Sequence, residues 1–158
     1  MKTPRRRRLE RKTDYKARFA LLKSGEKRLV VRKTNSFIIA QIVETDQAQD
    51  KVLISITSKI LLAKKWPKEY AGSLKSLQAA YLTGFLIGKL AQEKKVKSAV
   101  FDIGMNRNVL KSRFYALLKG ALDSGLKIPY NPKALPSDKD LQKNEKLKGL
   151  INKIKEKL

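Results

Sequence analysis

Hydrophobic positions in the first part of the chain repeat with two spacings, and each spacing predicts a different element. Residues 1–12 are almost wholly polar, and we expect them to form no packed element. Thr13 or Asp14 can then cap a helix, because apolar residues at helical spacing follow. These residues are Tyr15, Phe19 and Leu22. Three runs rich in β-branched residues follow, at 28–33, 37–43 and 52–56. Because short polar gaps separate the runs, the last at 46–50, we predict a helix and then an antiparallel meander of three strands.

The remainder of the chain alternates helical patterns with one short buried strand. Residues 61–72 contain Pro67 and Gly72 and are expected to be irregular with one turn of helix at most. The elements predicted after them are a helix from a cap at Ser73 to about Lys94, a strand at 98–103, a helix at 109–124 ended by Gly125, and a last helix from Ser137 or Asp138. The crossover from the third strand through a helix to the fourth favours an α/β fold: a small mixed sheet covered by helices.

Two glycines and four aromatic residues add predictions about packing to this pattern of elements. Gly84 and Gly88 lie one turn apart in the long helix, where each costs about 1 kcal/mol relative to alanine. Their presence indicates that another element approaches closely there. Tyr15, Phe19, Tyr81 and Phe85 fall on the apolar faces of predicted helices, and we interpret them as core residues rather than platforms for stacked bases.

Charge is the outlying property of the composition. The 158 residues include 37 Lys and Arg against 14 Asp and Glu, a formal net charge of +23. Because like charges repel in a compact state, we expect a polyanionic partner, and nucleic acid is the commonest one for so basic a chain. The sequence shows no apolar stretch that could span a bilayer, no secretory signal and no lipidation signal. It therefore predicts a cytoplasmic protein without a membrane partner.

Catalytic chemistry has little support. The chain has no Cys and no His, which excludes disulfides, Cys/His zinc sites, thiol nucleophiles and imidazole bases, and no phosphate-loop or GxSxG pattern occurs. A two-metal nuclease using Asp102, at the end of the fourth strand, is the enzymatic alternative. The other acids are scattered rather than convergent, so we interpret Asp102 as a structural cap and expect no cofactor, metal or small-molecule substrate.

Basic residues concentrate at the N-terminus. Residues 1–33 carry fourteen basic and three acidic residues, about half of the net charge in about a fifth of the chain. A merely solvated segment normally mixes the two signs, whereas a flexible arm with one sign can follow a phosphate backbone and release counterions. The candidate contacts in this arm are Arg5, Arg6, Arg7, Arg8, Arg11 and Lys12.

Two further clusters combine cations with hydrogen-bonding groups. The first is at the hairpin between the first two strands and comprises Arg32, Lys33, Thr34 and Asn35; simple turn chemistry is its alternative. The second follows the Asp102 strand and comprises Asn106, Arg107, Lys111 and Arg113, with an ordinary exposed helix start as its alternative. The absence of helix-turn-helix and zinc-finger patterns favours RNA over DNA.

Several stretches, in order, resemble one family. They are Arg-Arg-Arg-Arg at 5–8, Lys-Thr-Asp-Tyr at 12–15, Leu-Leu-Lys-Ser-Gly at 21–25, Arg-Leu-Val-Val-Arg-Lys-Thr-Asn at 28–35, Ile-Ala-Gln-Ile-Val at 39–43, Ala-Tyr-Leu-Thr-Gly at 80–84, Asp-Ile-Gly at 102–104, residues 116–126 and Ile-Pro at 128–129. Over residues 4–136 the chain thus resembles the archaeal branch of the ribosomal L-eighteen family, called L-five in eukaryotes. One departure is the segment 106–111, where the family would have a loop rich in Pro, Thr and Gly.

This resemblance implies a fold of the type shared by translation components and related in outline to ribonuclease H. It also implies a non-enzymatic protein that binds 5S rRNA and helps attach it to 23S rRNA in the central protuberance, next to other large-subunit ribosomal proteins. It adds Arg28 to the expected RNA contacts. We therefore expect a basic arm at 1–12, a single α/β RNA-binding domain at 13–136 and a lysine-rich C-terminal helix at 137–158. A non-specific nucleic-acid packing protein is the remaining alternative.

Overall fold

Four strands form one mixed sheet in a computed structural model that describes residues 6–10, 12–46, 49–64 and 66–142. The strands are β1 (Arg28–Lys33), β2 (Ile38–Asp46), β3 (Gln49–Thr57) and β4 (Val100–Asp102), in the spatial order β3-β2-β1-β4. β2 is antiparallel to both β1 and β3, whereas β4 is parallel to β1. The predicted meander and crossover are confirmed.

The hairpin between β2 and β3 is longer than the sequence predicted. Polar residues expected to form a gap continue the ladder instead, since Thr45 lies opposite Asp50 and Asp46 lies opposite Gln49. A bulge between Ile42 and Val43 accompanies this extension. The hydrophobic pattern does not predict this extension of the hairpin, because the added residue pairs lie beyond the buried part of the sheet.

Helices flank the strands in chain order. They are α1 (Arg6–Leu9), α2 (Tyr15–Leu22), α3 (Ile60–Ala63), α4 (Leu77–Glu93), α5 (Arg113–Asp123) and α6 (Asp138–Gln142), with 3-10 turns at Lys68–Ser73 and Pro132–Ala134. The predicted last helix begins as expected at Asp138, and its continuation at 143–158 lies outside the described residues. None of the helices in the described ranges is long and apolar enough to cross a membrane.

Side-chain capping fixes where two of the helices begin. Asp14 accepts hydrogen bonds from the backbone N–H groups of Lys16 and Ala17 at 3.0 and 3.1 Å. Ser76, rather than the predicted Ser73, caps α4, and accepts from the Ala79 N–H. α5 begins four residues later than predicted, because Lys111 adopts a positive φ of 55° and its N–H donates to the Ala134 carbonyl.

The core lies between the sheet and the pair α4 and α5, which pack through glycines. A Cβ added at Gly84 would overlap the backbone carbonyl of Leu117, and one at Gly120 would overlap that of Tyr81. The predicted close approach at Gly84 is therefore confirmed. Fully buried side chains from both layers fill the space between them, namely Leu29, Val31, Ile42, Leu82, Ile87, Leu117 and Leu118.

The predicted aromatic core is only partly correct. Tyr81 is buried and Tyr15 and Phe85 are half-buried, but the Phe19 residue is 63% exposed. The prediction for Phe19 is wrong because α2, which has no buried residue, does not cover the sheet. α1 likewise forms a single helical turn without a buried residue, in a segment where the sequence predicted no packed element.

Candidate nucleic-acid interface

A cavity of about 590 Å³ separates α2 from the end of the sheet at β4. Five cations and two acids line it, together with smaller and apolar side chains. The cations are Arg7, Lys12, Arg18, Arg28 and Arg32, and the acids are Asp14 and Asp102. The structure thus brings together the arm, the β1 end and the loop after β4, three regions that the sequence singled out separately.

Arg28 is buried beneath this cavity and is occupied by partners within the protein. One guanidinium nitrogen, Nη1, lies 2.8 Å from Asp102 Oδ2. The other, Nη2, lies 2.7 Å from Asp50 Oδ1 and donates to the Thr45 hydroxyl at 3.1 Å. The resemblance implied an RNA contact at Arg28, but the residue is only 2% exposed, so we assign it a structural role and leave it out of the interface.

Both carboxylate oxygens of Asp102 are also bound by groups within the protein. Oδ2 binds Arg28, and Oδ1 accepts from the Gly104 N–H at 2.8 Å. Oδ1 also lies 3.6 Å from Arg32 Nη2. Among the residues that the structure describes, no group of three or more acidic side chains converges to hold a metal ion. This geometry matches the interpretation of Asp102 as a cap and gives the nuclease alternative no support.

Arg32 lines the cavity and is held in position by contacts with β1 and with the loop after β4. Its Nη1 donates to the carbonyls of Val31 and Asp102 at 2.8 and 3.3 Å. Its guanidinium packs on Gly104, which has a φ of 61° and where an added Cβ would lie 2.8 Å from Arg32 Cζ. The side chain is still 43% exposed, so it presents a fixed positive charge at the surface.

Of the other three residues in the hairpin cluster, two are exposed to solvent and one makes hydrogen bonds within the turn. Lys33 and Asn35 are exposed. The Thr34 hydroxyl donates to the Phe37 carbonyl at 2.8 Å and accepts from the Phe37 N–H at 3.0 Å. The turn alternative therefore accounts for Thr34, whereas the two exposed neighbours retain free polar surface for a ligand.

Within the arm, the described cations are exposed and make weak contacts. Arg6 and Lys12 lie 3.4 and 2.8 Å from Glu10, and Arg7 donates to the Thr13 hydroxyl at 3.0 Å. Arg8 is exposed. Solvent-exposed ion pairs contribute about 0–1 kcal/mol, so these cations can exchange their partners for phosphates at little cost. Arg5 and Arg11 lie outside the described residues.

The loop after β4 is only partly brought to the cavity. Gly104 and Met105 line it, and Asn106, whose amide donates to the Ile103 carbonyl at 2.7 Å, follows directly. Arg107 and Arg113 are exposed but do not line it. Lys111 faces the C-terminal side, with its Nζ 3.5 Å from Asp140 Oδ2. The loop therefore reaches the cavity through Gly104 and Met105, and none of the four residues of the predicted cluster lines it.

Sequence reasoning missed Arg18 and its partner Asp50. Arg18 Nη2 lies 2.9 Å from Asp50 Oδ2, so one carboxylate joins α2 to the buried Arg28. Burial alone would raise the pKa of Asp50, but the Thr45 hydroxyl and the Arg28 and Arg18 guanidinium groups lower the pKa below its ordinary value. No local pattern in the sequence indicates this contact, because Arg18 and Asp50 are 32 residues apart.

Comparison with known proteins identifies what the chain is similar to. The model of a family described as ribosomal large subunit proteins 60S L5 and 50S L18 matches residues 1–98 and 88–131. A large ribosomal subunit protein uL18 from Korarchaeum cryptofilum is 44% identical over 151 residues, covering 96% of this chain and 75% of its own length. The uL18 protein of Methanothermobacter thermautotrophicus is 42% identical over 133 residues, or 84% of this chain and 67% of its own. The uL18 protein of Methanococcus maripaludis is 40% identical over 155 residues, which cover 98% of this chain and 78% of its own length.

Proposed function

Because the chain belongs to the family of large-subunit ribosomal proteins 60S L5 and 50S L18, and is a structural constituent of that subunit rather than an enzyme, we propose that its specific partner is 5S rRNA. On this proposal it attaches 5S rRNA to 23S rRNA in the central protuberance, beside neighbouring ribosomal proteins. The family resemblance found in the sequence is confirmed; the identity of the RNA is our inference.

One observation carries this proposal: cations from three separate regions surround a single cavity at the end of the sheet. Arg7 and Lys12 come from the arm, Arg18 from α2 and Arg32 from β1. Exposed arm residues can follow a backbone, while Arg32 is held in place by Asp102 and Gly104. Flexible cations provide affinity for any phosphate chain, and a fixed cation discriminates between RNA shapes.

The presence of a fixed cation beside the exposed ones favours this proposal over a non-specific packing protein. A packing protein would need only exposed charge, whereas here the buried Arg28 binds the two carboxylates, Asp50 and Asp102, that also contact Arg18 and Arg32. Such an arrangement favours a partner with a defined surface.

The test is a competition between two nucleic acids of equal length. Purified protein is titrated with 5S rRNA and with duplex DNA across a series of salt concentrations. We expect preferential binding to 5S rRNA, with log affinity falling against log salt at a slope of about −5 to −7 if six to eight phosphates are neutralised. Equal affinity for the two would contradict the proposal and favour the packing alternative.

A further inference from the structure

Phe19 is an exposed aromatic side chain that the fold does not use. Among the large hydrophobic residues in the described ranges, its exposure of 63% is exceeded only by that of Leu9, at 64%. α2 is nevertheless well defined locally, because Asp14 caps its first turn and Arg18 ties it to Asp50. The ring is thus held at the surface on a short helix of fixed position.

The outward direction of the ring follows from the helix geometry. Ala17 and Leu21, four residues apart, both line the cavity beneath α2. Phe19 lies two residues from each, about 200° around the helix, and does not line the cavity. It therefore faces away from the sheet, and no element in the described part of the chain buries it.

Two lysines share this outward face. Lys16 and Lys23 lie three residues before and four residues after Phe19, the spacings that place side chains together on a helix. Lys23 Nζ is 5.2 Å from the centre of the Phe19 ring, a cation–π distance, yet most of the residue remains accessible. The helix itself, Tyr15–Leu22, contains no acidic residue.

We propose that Phe19 is a stacking platform for an unpaired RNA base, with Lys16 and Lys23 binding the phosphates that flank it. The proposal rests on the RNA-binding function above and adds a base contact to it. Aromatic rings bind bases through their faces regardless of base identity, and neighbouring cations supply the phosphate contacts. An apolar protein partner is less suited to this face, because lysine is depleted from the centres of protein–protein interfaces.

The test compares two replacements of Phe19 in the full chain, with 5S rRNA as the probe. Phe19→Leu keeps an apolar side chain and a good helix former but removes the ring face, and we expect its affinity to fall about fivefold to a hundredfold. Phe19→Trp keeps the ring face and should retain wild-type affinity. Tyr130→Leu is the matched control, since Tyr130 is 49% exposed and lines a separate pocket to which α2 contributes no residue; its affinity should not change.

A spectroscopic measurement gives a second readout. The chain's one tryptophan, Trp66, is 2% exposed, so the change in emission of Phe19→Trp on adding RNA reports on position 19. We expect quenching by the stacked base. A docking surface for an apolar protein or a second copy of the chain would tolerate leucine and leave the emission unquenched by RNA, and that result would overturn the proposal. Wild-type protein that binds duplex DNA as well as 5S rRNA contradicts the proposed function instead.

Discussion

Arg28 and Asp102, which are 74 residues apart in sequence, form a buried ion pair at 2.8 Å between neighbouring parallel strands. Asp50 joins the same guanidinium from the β2–β3 hairpin and reaches Arg18 on α2 with its second oxygen. The buried Arg28 therefore connects β4 and the β2–β3 hairpin directly, and α2 through Asp50. On the proposed function, Arg28 acts indirectly, because it holds the carboxylates that position Arg18 and Arg32.

Replacing Arg28 should destabilise the fold. Arg28→Leu leaves Asp102 buried without its cation, and breaking a buried pair in this way costs about 3–5 kcal/mol. Urea unfolding followed by circular dichroism measures the loss. Arg113→Leu, at an exposed position in the first turn of α5, is the control and should change the free energy of unfolding by less than about 0.5 kcal/mol. Similar unfolding curves for the two variants would contradict the structural role of Arg28.

A methyl group at Gly84 should disrupt the packing of α4 on α5. Gly84→Ala places its Cβ on the Leu117 backbone, which cannot move aside as a flexible side chain would. Overpacking of this kind costs about 1–3 kcal/mol. Gly72→Ala is the matched control, because nothing lies within 4 Å of the added Cβ. The denaturation midpoint should fall for the first variant and not for the second; equal midpoints would refute the close approach.

Asp50 should make stability depend on pH in the acid range. Its pKa is lower in the folded protein than the ordinary value of 3.8, so its ionised form is stabilised by folding. That contribution is fully present above the unfolded pKa and is lost as the pH falls through the folded pKa. Asp50→Asn should therefore be less stable than wild type at neutral pH, and the difference should shrink below pH 3.8. Thermal unfolding between neutral and acid pH measures this; a constant difference would contradict the assignment.

Two arm cations should each account for about one phosphate. Arg7→Ala with Lys12→Ala, which removes two cations that line the cavity, should make the slope of log affinity against log salt shallower by about 2, because each phosphate contributes about 0.9. Lys127→Ala with Lys133→Ala removes the same charge from exposed positions that do not line the cavity, and should leave the slope within error of wild type. If both double variants changed the slope equally, binding would depend on net charge rather than on this surface.

The sequence predicted the elements better than their contacts. β1 begins and ends where the run of β-branched residues does, and Asp14 and Gly125 mark helix ends because capping is a local property. The burial of Arg28 could not be predicted, because its two carboxylate partners are 22 and 74 residues away and no local pattern reports them. Phe19 was misassigned for a related reason: helical spacing identifies an apolar stripe but not whether another element covers it.

Crosslinking of protein to RNA in assembled large ribosomal subunits, read at residue level, tests the central claim most directly. We predict crosslinks from the cavity cations, Arg7, Lys12 and Arg32, to nucleotides of 5S rRNA, and none from the buried Arg28. Crosslinks from these residues to 23S rRNA alone, with 5S rRNA unmodified, would contradict the proposal that this surface holds 5S rRNA.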